Sequence, residues 1–193
     1  VPGPQRLWAC APGEGCIKDA PDVNRLGGRL RLAAPLRKFG IMTTRETIVI
    51  GSDHAAFRLK EILKAQVAAL GYTVEDLGTH SEASVDYPAI GRRVAGLIST
   101  GRYRRGILLC GTGIGMSMVA NRFPRVRAAL CNDLFAAAMS RRHNDANLLV
   151  MGGRVVGDTL AEEIVKAWLT TPFEGGRHQR RLDQLETLPD VDP

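Results

Sequence analysis

The 193-residue sequence contains no apolar run that approaches the roughly 18 residues of a membrane span. Aromatic residues are also scarce, at 5% of the chain, which leaves few side chains to stack on nucleic-acid bases. Positive charge is concentrated at one end, because residues 1–42 hold seven basic and three acidic side chains, whereas residues 43–193 hold 19 and 17. We therefore expect a protein that binds neither membranes nor nucleic acid.

The cysteines lack the spacing of the common metal-binding motifs. Cys10, Cys16, Cys110 and Cys131 form no C-x-x-C pair, and no histidine–cysteine cluster has the spacing of a zinc site. The sequence therefore predicts no metal site. Free thiols are typical of a reducing compartment, so we expect a cytoplasmic protein.

Serine and threonine are missing altogether from residues 1–42, which hold five of the ten prolines and six of the 21 glycines. An organelle transit peptide is usually serine-rich, and no uninterrupted apolar stretch marks a secretory signal. We expect residues 1–42 to be a disordered or non-native N-terminal extension, with Met42 as the natural start. Residues 43–193 are expected to form a single domain.

In residues 43–193, short apolar runs typical of buried strands alternate with segments whose apolar residues have helical spacing. The predicted strands are residues 47–51, 72–77, 107–110, 126–131 and 147–151. The predicted helices are residues 55–70, 89–99, 116–121, 133–142, 158–169 and 177–188. This alternation predicts an α/β fold, with a five-stranded parallel sheet and helices on both faces. Ligands of such sheets bind at the carboxyl ends of the strands.

The most informative stretch, residues 108–121, combines a buried strand, a cysteine and a glycine-rich turn. The strand ends on Cys110, and the loop Gly111-Thr112-Gly113-Ile114-Gly115 leads into a helix. Backbone N–H groups at such a turn can hold an anion and stabilise a thiolate. The glycine spacing is not the dinucleotide fingerprint and lacks the lysine of a P-loop, so no cofactor is predicted. The plainer alternatives are a tight turn and a cysteine that packs as a small hydrophobe.

Other polar side chains stand where predicted elements end. Asp53 and His54 follow the first strand, and Arg154 follows the fifth. His143 and Asn144 lie where a helix gives way to a strand. Loops that a rigid sheet holds in place often carry function, although each histidine taken alone is more often structural.

Arg177 and Arg181 are one helical turn apart and share a face of the last predicted helix. They belong either to a solvated basic helix or to an arginine clamp for phosphate. A thiol base, an oxyanion hole and nearby histidines are the groups needed to transfer a proton to or from the carbon next to a carbonyl. Aldose–ketose isomerisation is such a reaction.

Several segments together resemble the ribose-5-phosphate isomerase B family, which includes the galactose-6-phosphate isomerase subunits. These segments are IVIGSDHAAFRLK, DYP, GILLCGTGIGMSMVANRFPRVRAAL, SRRHNDANLLVMGGRVVG and FEGGRHQRRL, and they run from about Thr47 to Leu188. The resemblance implies a Rossmann-like, three-layer α/β/α fold and a homodimer, paired into tetramers in some members. It also implies that ribose 5-phosphate and ribulose 5-phosphate are interconverted through an enediolate, in the pentose phosphate pathway and without a cofactor.

The resemblance also implies roles for individual residues. Cys110 would be the base at C2, Thr112 its helper, and His143 the group that opens the furanose ring. The positions implied to bind substrate are Asp53, His54, Tyr87, Gly111, Gly113, Ile114, Gly115, Asn144, Arg154, Arg177 and Arg181. In the family, the last two arginines come from the partner subunit. Met116 occupies the position of the glutamate base found in another branch, so this chain resembles the cysteine branch.

Two alternatives remain open at this point. One is the same chemistry on another sugar phosphate, namely allose 6-phosphate, galactose 6-phosphate or a tetrose phosphate. The galactose enzymes divide their active-site residues between two different subunits, whereas this chain carries the whole set and favours a homodimer. The other alternative is a non-catalytic module that binds sugar phosphates and would need no thiol base.

Overall fold

The structure, a computed structural model, describes residues 45–187. The expectation of a disordered or non-native extension concerns residues 1–42, which lie outside this range. None of the helices within the described range is long and apolar enough to cross a membrane.

Five parallel strands form the sheet, in the order β2-β1-β3-β5-β4. The strands are β1 (Thr47–Ser52), β2 (Thr73–Asp76), β3 (Arg105–Cys110), β4 (Ala128–Leu130) and β5 (Leu148–Gly152). The central strands are buried throughout, as expected for a parallel sheet covered on both faces. The five-stranded parallel sheet predicted from the sequence is therefore confirmed.

Helices cover both faces of the sheet. They are α1 (Phe57–Ala69, after a 3₁₀ turn at His54–Ala56), α2 (Tyr87–Ser99), α3 (Ile114–Ala120), α4 (Leu134–Asn144), α5 (Asp158–Thr170) and α6 (Arg177–Glu186). On one face, Ile48 and Ile50 pack under α1, α4 and α5. On the other face, Val49 and Leu108 pack under α2 and α3. The result is the expected three-layer α/β/α arrangement.

Two helix boundaries differ from the prediction in ways that concern the site. Helix α2 begins at Tyr87 rather than Ala89, because Pro88 lacks an N–H and is tolerated in a first helical turn. Helix α4 continues through Asn144 and ends where Asp145 adopts the left-handed conformation, with φ of 42°. His143 therefore lies in the last turn of a helix rather than in the following loop.

A buried ion pair ties the end of β2 to α1. Lys60 is fully buried, and its Nζ donates hydrogen bonds to both carboxylate oxygens of Asp76, at 2.8 and 2.6 Å. Lys64 Nζ and the backbone N–H of Gly78 also donate to Asp76, at 2.7 and 3.0 Å. Burial raises the pKa of the Asp76 carboxyl, but these hydrogen bonds outweigh it and lower the pKa from 3.8 to about 2.

We expect Asp76→Asn to lower the free energy of unfolding at neutral pH by at least about 2 kcal/mol. Because the folded-state pKa of Asp76 lies below its ordinary value, its stabilisation is complete above about pH 4 and is lost as the pH falls toward about 2. Urea unfolding at a series of pH values should therefore show that the free energy of unfolding falls more steeply with acid in the wild type than in Asp76→Asn. Glu75→Gln, an exposed position on the same strand, is the matched control and should change little. If the free energy of unfolding fell in parallel for the wild type and Asp76→Asn as the pH is lowered, the stabilising role of the Asp76 carboxylate would be contradicted.

Candidate active site

Cys110 is the last residue of β3, at the edge where the parallel strands end. Its thiol is 5% exposed, and Sγ accepts a hydrogen bond from the backbone N–H of Gly113 at 3.1 Å. Gly113 has φ of 80°, a conformation that favours glycine, and a Cβ there would collide with the Leu130 side chain. The glycine thus lets the chain turn back so that an amide points at the sulfur. This contact would stabilise a thiolate.

The end of β5 holds the rest of the glycine loop in place. A Cβ on Gly152 would lie 2.7 Å from the backbone of Thr112, so the two segments touch directly. The N–H of Gly153 donates to the carbonyl of Cys110 at 2.8 Å, and the N–H of Arg154 donates to that of Gly111 at 3.0 Å. These contacts bring exposed Arg154 beside the loop.

Tyr87 covers the third glycine of the loop. A Cβ on Gly115 would lie 2.6 Å from Cζ of the Tyr87 ring and 3.0 Å from its hydroxyl oxygen. No side chain fits between them without displacing the ring. Because Tyr87 begins α2 and is 38% exposed, its ring forms one wall beside the loop.

Asp53 and His54 follow β1 at the same edge. The N–H of Asp53 donates to the carbonyl of Leu109 at 3.1 Å, which places Asp53 next to the end of β3. Asp53 is 7% exposed, and its Oδ1 atom is buried without a partner among the described residues. Such an oxygen is costly to bury, and a hydroxyl of a ligand would satisfy it. Nδ1 of His54 accepts a hydrogen bond from the N–H of Val85 at 3.2 Å, so the N–H of a neutral ring is on Nε2.

These residues form one group, which we call the carboxyl-edge group. Its members are Asp53, His54, Tyr87, Cys110, Gly111, Thr112, Gly113, Ile114, Gly115 and Arg154. The structure therefore brings together ten of the fourteen positions identified from the sequence.

The other four positions form a second group, the amino-edge group, which consists of His143, Asn144, Arg177 and Arg181. His143 and Asn144 end α4, which runs back to the edge where the strands begin. Arg177 and Arg181 are exposed on α6, and α6 packs against α4. The backbone carbonyl of Asn144 accepts a hydrogen bond from Arg127 Nε at 3.0 Å.

Strand β5 separates the two groups. Leu148, its first residue, pairs with Gly106 near the start of β3, and Gly152, its last, pairs with Cys110. This rise of four residues amounts to about 13 Å. A single chain therefore does not bring His143 to Cys110.

Two residues of the amino edge were not singled out in the sequence. The ring of His178 stacks on that of His143, with centroids 4.2 Å apart and planes 5° from parallel. Glu174 Oε2 lies 3.8 Å from Nε2 of His143 and 3.6 Å from Nε2 of His178. His178 could have been noticed in the sequence, because it lies beside Arg177 within the FEGGRHQRRL segment.

His143, Glu174 and His178 are also the one group of possible metal donors found within residues 45–187, with donor atoms within 4.8 Å of one another. The parallel rings hold their nitrogen lone pairs in separate planes, so these cannot converge on one ion without rotation. Arg177 Nε moreover donates to His178 Nε2, at 3.4 Å, which occupies that lone pair. The geometry of the group therefore does not suit a metal ion.

The family model described as Ribose/Galactose Isomerase matches residues 48–185. The chain belongs to this family. The resemblance seen in the sequence is thereby confirmed, and both the carboxyl-edge and the amino-edge groups fall within the matched range.

Individual members of the ribose/galactose isomerase family are closely similar to this chain in sequence and structure. Ribose-5-phosphate isomerase B of Escherichia coli (strain K12) is 44% identical over 141 residues, which cover 73% of this chain and 95% of that protein. D-erythrulose-4-phosphate isomerase of Pectobacterium atrosepticum is 40% identical over 140 residues, covering 72% and 92%. The crystal structure of a ribose 5-phosphate isomerase from Thermotoga maritima superposes with a TM-score of 0.71 at 50% identity, covering 74% and 99%.

Proposed function

We propose that this chain interconverts ribose 5-phosphate and ribulose 5-phosphate. The observation that carries the proposal is the Cys110 thiol, which is held by the Gly113 amide beside the unpaired Asp53 oxygen at the carboxyl edge. Membership of the ribose/galactose isomerase family and the named isomerase relatives support an aldose–ketose isomerase.

In the proton-transfer step, the Cys110 thiolate removes the proton from C2 of the open-chain aldose. The electrons of that C–H bond form the C1=C2 double bond, and negative charge develops on the carbonyl oxygen. The amides of the glycine loop, Gly111 to Gly115, would stabilise this enediolate. A second proton moves from the C2 hydroxyl to the oxygen on C1, and return of the first proton to C1 gives the ketose, so the reaction is balanced without a cofactor.

The rest of the carboxyl-edge group would hold the substrate. The unpaired Oδ1 of Asp53 can accept a hydrogen bond from a sugar hydroxyl, and the Tyr87 ring can pack against the carbon chain. His54 and Arg154 offer N–H donors to the phosphate end. Thr112 is exposed next to Cys110, where its hydroxyl can reach the substrate oxygens.

We also propose that the active enzyme is a homodimer. The amino-edge group carries the histidine for ring opening and the arginines for phosphate, yet within one chain it lies at the opposite end of β5 from Cys110, and that strand rises about 13 Å. A two-fold dimer could bring the amino edge of each chain to the carboxyl edge of the other and complete two equal sites. Exposed apolar side chains in the first turns of two helices that follow strand ends support such an interface, namely Ile114 and Met118 of α3 and Phe135 of α4, which are 49%, 64% and 75% exposed.

The same proposal includes a role in pentose phosphate metabolism in a reducing cytoplasm. The two cysteines of the described range, Cys110 and Cys131, are both free thiols, as this setting requires. We propose that residues 43–193 act as one isomerase domain.

A coupled isomerase assay over several sugar phosphates tests the function. We expect the highest kcat/KM on ribose 5-phosphate, lower values on allose 6-phosphate, galactose 6-phosphate and erythrose 4-phosphate, and no turnover of unphosphorylated ribose. The tetrose phosphate is included because of the Pectobacterium relative. A higher kcat/KM on a tetrose or hexose phosphate would reassign the substrate, and binding without turnover of any of them would leave a non-catalytic module.

A further inference from the structure

His178 is unusual among the residues of α6. The helix is strongly polar, with the sequence RHQRRLDQLE, and only His178 and Leu182 are buried, at 5% and 6% exposure. Being four residues apart, these two side chains share the face of α6 that packs against α4. Leu182 is an ordinary core residue, whereas a buried imidazole needs a reason to be there.

The ring of His178 lies flat against the ring of His143. With planes 5° from parallel and centroids 4.2 Å apart, this stack covers one face of the His143 ring. The side chain of His143 remains 39% exposed, so part of the ring stays open to a ligand. The stack restricts His143 to motion within its own plane.

The surroundings favour a neutral His178. Its Nε2 accepts a hydrogen bond from Arg177 Nε at 3.4 Å, which requires a free lone pair. Burial lowers the pKa of His178, and the nearby charges of His143 and Arg177 lower it further. A neutral ring against His143 avoids the repulsion that a second imidazolium would exert when His143 takes up a proton.

Glu174 supplies the compensating charge. Its Oε2 lies 3.8 Å from Nε2 of His143, and its backbone N–H is fixed by a hydrogen bond to the carbonyl of Arg142 at 3.0 Å. At this distance the two atoms are too far apart for a hydrogen bond, and they form an ion pair only when the His143 ring carries a second proton.

We infer that His178 is a positioning residue for ring opening, because its buried ring sets the plane in which His143 meets the furanose. The inference rests on the proposed isomerase function. In that step the C1–O4 bond breaks, O4 gains a proton from His143, and the C1 hydroxyl loses its proton to solvent as C1 becomes the aldehyde carbon. Misplacement of a catalytic group by about 1 Å can cost about 100-fold in rate.

The test uses two rates that differ in their need for ring opening. The first is the net conversion of ribose 5-phosphate, which exists largely as a furanose. The second is the exchange of the C1 hydrogen of ribulose 5-phosphate with solvent deuterium, followed by NMR. Ribulose 5-phosphate cannot close a furanose ring, since its C5 oxygen carries the phosphate, so exchange requires the enediolate but no ring opening.

We expect His178→Ala to lower net conversion by about 10- to 100-fold while exchange stays within about threefold of the wild type. His178→Phe keeps a flat ring and should recover most of the conversion. Leu182→Ala removes packing from the same face of α6 and leaves both imidazole rings present, so it should change both rates by the same factor.

Equal losses of both rates in His178→Ala would overturn the inference, as would unchanged conversion. If His178→Ala does not fold, His178→Phe decides the matter, because a loss of conversion with intact exchange would show that the flat ring is not what positions His143. Failure of the proposed function is distinguishable, since the wild-type protein would then show neither conversion nor exchange.

Discussion

Cys110→Ala is expected to lower kcat for isomerisation by about 10²- to 10⁴-fold, as when a general base is removed. Binding of ribose 5-phosphate should survive, because the substituted side chain is small and the glycine loop is held by backbone contacts to β5. Steady-state kinetics give kcat, and calorimetry gives the dissociation constant. Deuterium exchange at C1 of ribulose 5-phosphate should be lost together with conversion, in contrast to the pattern expected for His178→Ala.

The second buried cysteine provides the matched control. Cys131 is 1% exposed and packs in the core on the α1, α4 and α5 face of the sheet. Burial raises the pKa of its thiol to about 11, so it holds its proton at neutral pH. Cys131→Ala should therefore keep its activity within about threefold. Full activity in Cys110→Ala, or equal losses in both variants, would refute the assignment of Cys110 as the base.

Two inactive variants are expected to restore activity when they are expressed together. Cys110→Ala disables the carboxyl edge, and Arg181→Ala disables the amino edge. In a mixed dimer, one site then combines an intact carboxyl edge with an intact amino edge. Random pairing makes about half of the dimers mixed, so about a quarter of all sites should be functional. The measurement is the specific activity of the co-expressed, purified mixture.

The controls for this experiment come from the same two edges. Cys110→Ala with Asp53→Asn places both defects at the carboxyl edge, so no mixed dimer has an intact site and no recovery is expected. Arg180→Ala, an exposed neighbour of Arg181 on α6, should be nearly as active as the wild type by itself. Recovery in the Asp53 mixture, or its absence in the Arg181 mixture, would argue against a site shared between chains.

The strands could be located from the sequence because a parallel sheet buries both faces of its central strands. The runs at Ile48–Ile50 and Ile107–Leu109 are apolar at every position for that reason. The length of the edge strand β4 was overestimated at residues 126–131, since only Ala128–Leu130 pair with β5. Arg127 directs its backbone N–H to the Asn147 side chain, at 2.8 Å, instead of to the sheet. A side chain that takes a backbone hydrogen bond away from the sheet in this way is not visible in the pattern of hydrophobic residues.

The carboxyl-edge group could be predicted because topology alone places the ends of parallel strands side by side. The position of His143 at the opposite edge follows from the same topology, because a residue between a helix and the next parallel strand lies where the strands begin. Whether His143 lies in the helix or in the loop could not be predicted, because it depends on how far α4 continues before Asp145 ends it. The stack of His178 on His143 was also beyond reach. It depends on how α6 packs against α4, and no spacing within a single helix encodes the meeting of two helices.

The division of the proposed site between opposite edges of the sheet has a consequence for inheritance. A chain that carries a defect at one edge spoils only one of the two sites when it pairs with a normal chain. A chain with defects at both edges, such as Cys110→Ala combined with Arg181→Ala, would silence both sites of every dimer that it enters. In a cell that makes both kinds of chain, such a double allele would be dominant over the normal one, whereas either single allele would be largely recessive.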